Sequence, residues 1–222
     1  MNVLAINGSP RGKQANTYRI LQSLLDGMRQ AGAKTEIINL SKLNINYCKG
    51  CGTCLKITPG RCVIKDDMEA LLEKIPTADL VIYGTPLYVF SMSGMMKTFL
   101  DRTLPLSAAA TMDSRSSVEK QKILLISPCH YPHIENFSPL VETFKLMARI
   151  TGEQYLGEIL RTTANINDNE KQEKYSKLLN LAGQQLIESN MIDDKLLKEL
   201  HEPWISIEEF IEQTKTLLKI KA

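Results

Sequence analysis

The 222-residue sequence contains no apolar stretch that approaches the roughly 18 residues of a membrane-spanning helix. It also lacks any block of five or so like charges. Lys and Arg total 27 against 25 Asp and Glu, a net charge of +2. So even a balance argues against nucleic acid or an anionic membrane as the partner. The opening residues MNVLAINGSP have neither the basic start nor the long apolar core of a secretory signal. A soluble, cytoplasmic protein is expected. In that compartment the five cysteines need an explanation other than a disulfide framework. At 43% apolar residues, wholesale disorder is excluded. A chain of this length buries about 70% of its unfolded surface and needs no staples.

Strand and helix patterns take turns along the chain. Short apolar runs at 2–7, 34–40, 79–84, 121–127 and 155–162 read as strands. Residues 16–31, a segment capped by Asp66 or Asp67, residues 139–151 and residues 168–190 carry helical spacing. Gly32 is the C-cap candidate of the first helix. The first, third and fourth strands are near-continuously apolar, as strands buried on both faces of a parallel sheet must be. Five such βα units make an open, doubly wound α/β sheet. Residues 1–191 then form one domain. Residues 192–222 form a helical extension with Ile207, Phe210, Ile211, Leu217 and Leu218 at helical spacing, packed on the domain or on a partner subunit. His201 reads as a surface residue of that tail. In such sheets ligands sit beyond the carboxyl ends of the strands, which directs attention to loops 8–15, 41–65, 85–93 and 128–138.

The first of these loops runs Asn7-Gly8-Ser9-Pro10-Arg11-Gly12-Lys13-Gln14-Ala15-Asn16-Thr17 into a helix. A helix N-terminus with small, hydroxylated residues before it suits an anion. Ser9, Thr17 and Asn16 can donate hydrogen bonds and Arg11 can add charge. A Walker A loop needs a longer gap between its glycines, then Lys and Ser or Thr, and the dinucleotide fingerprint G-x-G-x-x-G is absent. One terminal phosphate, as on a mononucleotide, is what fits; the alternative is an ordinary capped turn. The loop after the third strand, Gly84-Thr85-Pro86-Leu87-Tyr88-Val89-Phe90-Ser91-Met92-Ser93-Gly94, is unusually apolar for a loop. It suits a planar ring, whose polar edge its backbone can read while Tyr88 or Phe90 walls it. Alternatively these aromatics cover the core or a subunit interface.

Four cysteines follow the second strand as Cys48-x2-Cys51-x2-Cys54-x7-Cys62. Two-residue gaps are poor for mutual disulfides and good for thiolates wrapping one corner of an iron–sulfur cubane. Gly50, Gly52 and Pro59-Gly60 let the backbone turn that sharply. Three readings stand: a [4Fe–4S] cluster, zinc, or free redox-active thiols. Cys129, in the loop Pro128-Cys129-His130-Tyr131-Pro132-His133, reads as lining a cofactor pocket or as a buried structural thiol.

The phosphate loop, the Gly-Thr-Pro-Leu-Tyr loop and the segment Met96-Lys97-Thr98-Phe99-Leu100-Asp101-Arg102 together resemble the flavodoxin-like NAD(P)H-dependent FMN reductases. With the cysteines added, the resemblance is to their iron–sulfur flavoprotein branch, over roughly residues 1–165. The resemblance implies sheet order 2-1-3-4-5. It implies that Ser9, Arg11, Asn16 and Thr17 hold an FMN phosphate, and that Pro86, Leu87, Tyr88, Val89 and Ser91 face the isoalloxazine with Cys129 nearby. It implies Cys48, Cys51, Cys54 and Cys62 as ligands of one [4Fe–4S] cluster. The loop at 128–133 departs from the pattern, lacking glycines that many relatives use there. The implied activity is electron transfer from NAD(P)H through FMN to a quinone, a nitro or azo compound, a flavin or the cluster, by a homodimer or homotetramer. The alternative is an electron-transfer protein that relays electrons between redox proteins without its own NAD(P)H activity.

Overall fold

The structure is a computed structural model and describes residues 1–107, 121–163 and 168–218; the side chains of Leu217 and Leu218 lie outside the described residues. The strands are β1 (Asn2–Asn7), β2 (Lys34–Asn39), β3 (Leu80–Gly84), β4 (Lys122–Pro128) and β5 (Gln154–Arg161). The helices are α1 (Asn16–Gln30), α2 (Thr53–Lys56), α3 (Met68–Lys74), α4 (Gly94–Asp101), α5 (Ser138–Thr151), α6 (Asn169–Ser189), α7 (Asp194–His201) and α8 (Ile207–Leu218). All strands are parallel, in the order β2-β1-β3-β4-β5. The expected doubly wound α/β sheet of order 2-1-3-4-5, with C-terminal helices, is what forms. Among the described residues no helix is long and apolar enough to cross a membrane.

The alternation of side chains along each strand divides the core into two layers. Leu4, Ile6, Val81, Tyr83, Ile123 and Leu125 point to one face, beneath Met68 and Leu71 of α3, Met96 and Phe99 of α4, and Leu140 and Phe144 of α5. Val3, Ala5, Leu80, Ile82, Leu124 and Ile126 point to the other, beneath α1 and α6. Each fully buried Leu or Ile contributes about 1.5–3 kcal/mol, so the three central strands hold most of the stability. The edge strands β2 and β5 are only half-buried over much of their length.

The C-terminal segment packs on the domain's own core. Asp193 caps α7 by accepting from the Lys195 and Leu196 N–H groups at 3.0 and 3.2 Å, and Leu196 and Leu200 join the α1–α6 layer. The expected helix around Phe210 is α8, and the Phe210 ring lies 5.1 Å from His130 and 5.8 Å from Tyr131 between centroids. His201 is a correction: it is half-buried, its Nε2 stands 3.2 Å from the Glu158 carbonyl, and burial pulls its pKa down. The amphipathic repeat of α7 turns that ring toward β5 rather than outward.

Helices α1 and α6 meet backbone to backbone. A Cβ at Gly27 would lie 1.9 Å from the Asn180 carbonyl oxygen, and one at Gly183 would lie 2.2 Å from that of Leu24. Asn180 Nδ2 donates to the Ser23 carbonyl at 2.9 Å, and the Ser23 and Ser176 hydroxyls stand 2.8 Å apart. Alanine is the better helix former by about 1 kcal/mol, yet here it would force the helices apart. Gly183→Ala is expected to destabilise the protein by about 1–3 kcal/mol, the range for overpacking, in urea unfolding. A stabilised variant would contradict this seam.

Candidate functional site: two joined loops at the carboxyl edge of the sheet

The carboxyl ends of β1 and β3 carry the two expected ligand loops and bind them to each other. Asn7 ends β1 as a buried organiser. Its Oδ1 accepts from the Ser9 N–H at 3.1 Å, and its Nδ2 donates to the Gly12 carbonyl at 3.2 Å and to Asn39 Oδ1 at 2.8 Å. This folds residues 8–15 into a compact loop over the start of α1. Ser9 and Thr17 are buried within it, Asn16 is half-buried and Arg11 is exposed at its rim. Two hydroxyls, a helix N-terminus and a guanidinium form a donor set that matches a phosphate.

The Gly8 N–H donates to the Gly84 carbonyl at 2.7 Å, and Ser93 Oγ donates to the Gly8 carbonyl at 2.6 Å. The Ser93 N–H in turn donates to Thr85 Oγ1 at 2.9 Å, and Ser93 Oγ accepts from the Met96 N–H at 3.2 Å to cap α4. A Cβ at Gly8 would meet the Met96 side chain at 2.9 Å, so the approach of the two loops depends on glycine there. Sequence reading missed Asn7, Thr85 and Ser93 as organisers. A hydroxyl followed by a helical run at 93–101 is the capping signal that would have found Ser93.

Beyond this junction the β3 loop projects as a small hairpin. Tyr88 and Ser91 exchange backbone hydrogen bonds at 2.8 and 3.0 Å. Val89 and Phe90 between them have φ of 48° and 60°, the left-handed pair of a two-residue hairpin turn. Residues with a Cβ pay about 1–2 kcal/mol each for that conformation. Val89 and Phe90 are nevertheless turned outward, 91% and 55% exposed. Their N–H groups have no hydrogen-bond partner among the described residues. Pro86 and Leu87 are half-buried, and Tyr88 and Ser91 are exposed. The Leu87 N–H donates to the Pro128 carbonyl at 3.0 Å, anchoring the hairpin base to β4. Cys129, one residue on, is buried, and burial pushes its thiol pKa up. The loop therefore presents exposed apolar side chains and unpartnered backbone N–H groups, with a buried thiol one residue beyond its anchor on β4.

The cysteine loop leaves β2 at the same edge of the sheet. All four of its cysteines are free; Cys48 and Cys51 are exposed, and Cys54 and Cys62 are half-buried. The Gly50 N–H donates to Cys48 Sγ at 3.4 Å and Thr53 Oγ1 donates to Cys51 Sγ at 3.3 Å, the latter contact lowering the Cys51 pKa. Burial, then the neighbouring sulfurs of Cys62, Cys48 and Cys51, raise that of Cys54. The four thiols thus share one neighbourhood. Among the described residues, however, no group of three His, Cys, Asp or Glu side chains is gathered tightly enough to hold a metal ion.

One ion pair fixes this loop to the fold. Arg102, at the end of α4, is fully buried and meets Asp66 through both nitrogens, at 2.8 and 3.0 Å. It also donates to the carbonyls of Asn46 at 2.7 Å and Ile64 at 3.3 Å. Asp66 accepts from the N–H groups of Asn46 and Met68, so it is Asp66 rather than Asp67 that stabilises the start of α3. Burial alone would raise the Asp66 pKa, but the bonds from Arg102 and Asn46 override it and hold the carboxyl well below its usual range.

The family model for NADPH-dependent FMN reductases matches residues 1–127, more than half of the chain. The chain belongs to that family. By sequence it is similar to several proteins named as iron–sulfur flavoproteins. One, from Archaeoglobus fulgidus, is 38% identical over 115 residues, which is 52% of this chain and 51% of that protein. Another, from Methanocaldococcus jannaschii, is 37% identical over 106 residues, 48% of this chain and 53% of that protein. The chain thus spans about half the length of the curated relatives it matches. Among solved structures, an FMN-dependent NADH-azoreductase from Bacillus anthracis in complex with FMN superposes with a TM-score of 0.62 at 14% identity, covering 84% of this chain and all of that one. A flavone reductase gives 0.63 at 18% identity, over 85% of this chain and 62% of that one. These two likenesses are of fold. The span matched to the FMN reductase family contains the 8–15 loop, the hairpin and the cysteine loop, and leaves out Cys129, Arg161 and the C-terminal helices.

The Arg102–Asp66 pair generates a prediction. Asp66→Asn leaves a buried guanidinium without its counter-charge, a loss of about 3–5 kcal/mol for such pairs. The cysteine loop is expected to loosen first, seen as faster alkylation of Cys54 and Cys62. Since the Asp66 pKa is depressed on folding, the stabilisation is complete above the ordinary carboxylate value near 4 and falls away as pH drops through and below it. The parent's acid-side loss of stability, from roughly pH 5 downward toward pH 1, is therefore expected to flatten in Asp66→Asn. Identical acid profiles would contradict the assignment.

Proposed function

We propose that the chain is an FMN-dependent oxidoreductase that draws electrons from NADH or NADPH. The observation that carries this reading is the buried junction at Gly8, Gly84 and Ser93, which holds the loop read as anion-binding and the apolar hairpin side by side. In this reading Ser9, Asn16 and Thr17 donate to the FMN phosphate, and Arg11 closes over it from the rim. Pro86, Leu87, Tyr88, Val89 and Ser91 face the isoalloxazine, the free N–H groups of Val89 and Phe90 meet its polar edge, and Cys129 lines the pocket beneath. When bound, FMN supplies hydride acceptance and onward transfer of one or two electrons, chemistry no side chain here provides. The fit of the donor set to a phosphate and of the hairpin to a planar ring supports it, as does membership of a family named for FMN reduction.

We further read Cys48, Cys51, Cys54 and Cys62 as the ligands of one [4Fe–4S] cluster. Thiolates are the donors such clusters take, and the sequence relatives named as iron–sulfur flavoproteins support the reading. The four sulfurs stand on an exposed loop in an open arrangement, which a cluster would close. The acceptor is a quinone, a nitro or azo compound, a flavin or the cluster itself. The outward-facing hairpin, with Phe90 exposed at its tip, is read as placing the flavin near the interface of a homodimer or homotetramer.

The test is steady-state oxidation of NADH and NADPH by FMN-loaded protein with benzoquinone as acceptor. It is run before and after anaerobic reconstitution with iron and sulfide, with Cys51→Ala in parallel. Turnover is expected in both states, with about four iron and four sulfide per chain, the cubane's content, gained by the parent and not by the variant. Cluster uptake without turnover on either nucleotide would instead favour a relay between redox proteins. Failure to retain FMN would overturn the reading as a whole.

A further inference from the structure

A cavity of about 350 Å³ opens between α1 and α6, beneath the start of the C-terminal segment. It falls at the small end of ligand-site volumes, roughly 300–1,000 Å³. Its most unusual wall is Arg161, the last residue of β5, which is 2% exposed. The guanidinium lies 3.8 Å from the centroid of the Trp204 ring and 4.8 Å from that of Tyr175. Its Nη1 donates to the Glu202 carbonyl at 3.0 Å, while Nη2 has no partner among the described residues. The Tyr175 hydroxyl, buried in the same wall, has none either.

A buried cation needs a counter-charge or full hydrogen bonding, and an enclosed donor left unmet is costly. Desolvation without a carboxylate partner pulls the Arg161 pKa down to about 10. Two cation–π contacts offset part of that cost but do not satisfy Nη2. Arg19 lines the same cavity and adds a second positive charge. The acidic group in the lining, Glu173, is neutralised by Lys177 at 2.8 Å. The remaining wall mixes the Ser23 hydroxyl with the apolar surface of Ile20. Buried donors, net positive charge and a partly apolar floor suit a small oxyanion and not a cation or a neutral hydrocarbon.

We propose that this cavity, which meets the phosphate loop at Asn16, is a second anion site whose ligand is a small carboxylate or phosphate ester accepting from Arg161 Nη2 and the Tyr175 hydroxyl. The site does not depend on the identity of the cofactor bound between loops 8–17 and 84–94. It adjoins that region all the same, because the Arg161 carbonyl accepts from the Cys129 N–H at 2.7 Å. Its outer wall belongs to the segment after β5, so occupancy would pin Trp204 against the domain.

The experiment uses FMN-loaded protein, so that the phosphate loop is filled. Trp204 is the only tryptophan in the chain, and its emission reports on the cavity directly. Inorganic phosphate and acetate are titrated separately, with ionic strength held constant by sodium chloride. A saturable change in Trp204 emission with at least one probe is expected, together with a rise in melting temperature that follows the same curve. Saturation by phosphate alone assigns a phosphate ester, and by acetate a carboxylate. Arg161→Met is expected to abolish the response. Tyr175→Phe keeps the ring and removes the hydroxyl, so it folds even where the arginine variant does not, and it should weaken binding about tenfold. A linear response to both probes, no different from chloride, would mean a water-filled cavity and overturn the proposal. So would saturation seen only in FMN-free protein, which would place the anion in the phosphate loop, or saturation unchanged in Tyr175→Phe.

Discussion

The junction between β1 and β3 is the constraint on which the site depends. Three short, buried hydrogen bonds tie Gly8 to Gly84, Ser93 to Gly8, and Ser93 to Thr85. In a parallel sheet, neighbouring strand ends have unpaired backbone groups, and loops leaving them would otherwise diverge. Here the backbone of one loop satisfies the other. A loop that suits a phosphate and a wall that suits a ring are thereby set at a fixed separation before any ligand arrives. Such preorganisation lowers the ordering cost of binding. It also gives the hairpin a firm base, and a firm base is what a strained turn such as Val89-Phe90 requires.

Helix α4 extends the same constraint to the cysteines. Ser93 caps its first turn, and Arg102, one residue past its end, grips Asp66 together with the carbonyls of Asn46 and Ile64. One short helix therefore stands between the junction of the two loops and both ends of the loop that carries Cys48 to Cys62. The loop is long and mostly exposed, and loops of this kind drift unless tied down. A buried ion pair with several further hydrogen bonds is a strong tie, since removing either partner strands the other charge. Within the tied loop Cys48 and Cys51 remain exposed while Cys54 and Cys62 are half-buried.

Much of the architecture was legible because the apolar runs obey a simple rule. Strands at 2–7, 79–84 and 121–127 are near-continuously apolar because both faces are covered, and the observed limits fall within a residue of these. The ligand loops were legible through composition: hydroxyls before a helix, aromatics where water should be. What stayed hidden was the wiring. Asn7, Thr85 and Ser93 look like ordinary polar loop residues, and only the fold brings them together across many positions in sequence. Arg102 and Asp66 are 36 residues apart, and nothing local marks them as partners. Arg161 read as an ordinary strand residue, whereas the structure encloses it between Trp204 and Tyr175. Helix α7 was missed although Asp193 and the leucines at 196, 197 and 200 carry a cap and an apolar face, because attention rested on the stronger repeat around Phe210.

The measurement that bears most directly on this account is the dissociation constant of FMN, beside that of riboflavin, for the parent and for Ser93→Ala. If Ser93 fixes the separation of the two loops, FMN, which would engage both, loses affinity by about tenfold, or 1.4 kcal/mol, in a variant that keeps its fold by circular dichroism. Riboflavin, lacking the phosphate and engaging the hairpin side alone, changes little. An unchanged affinity for FMN, or equal losses for the two ligands, would show that the junction does not couple the loops and would contradict the account.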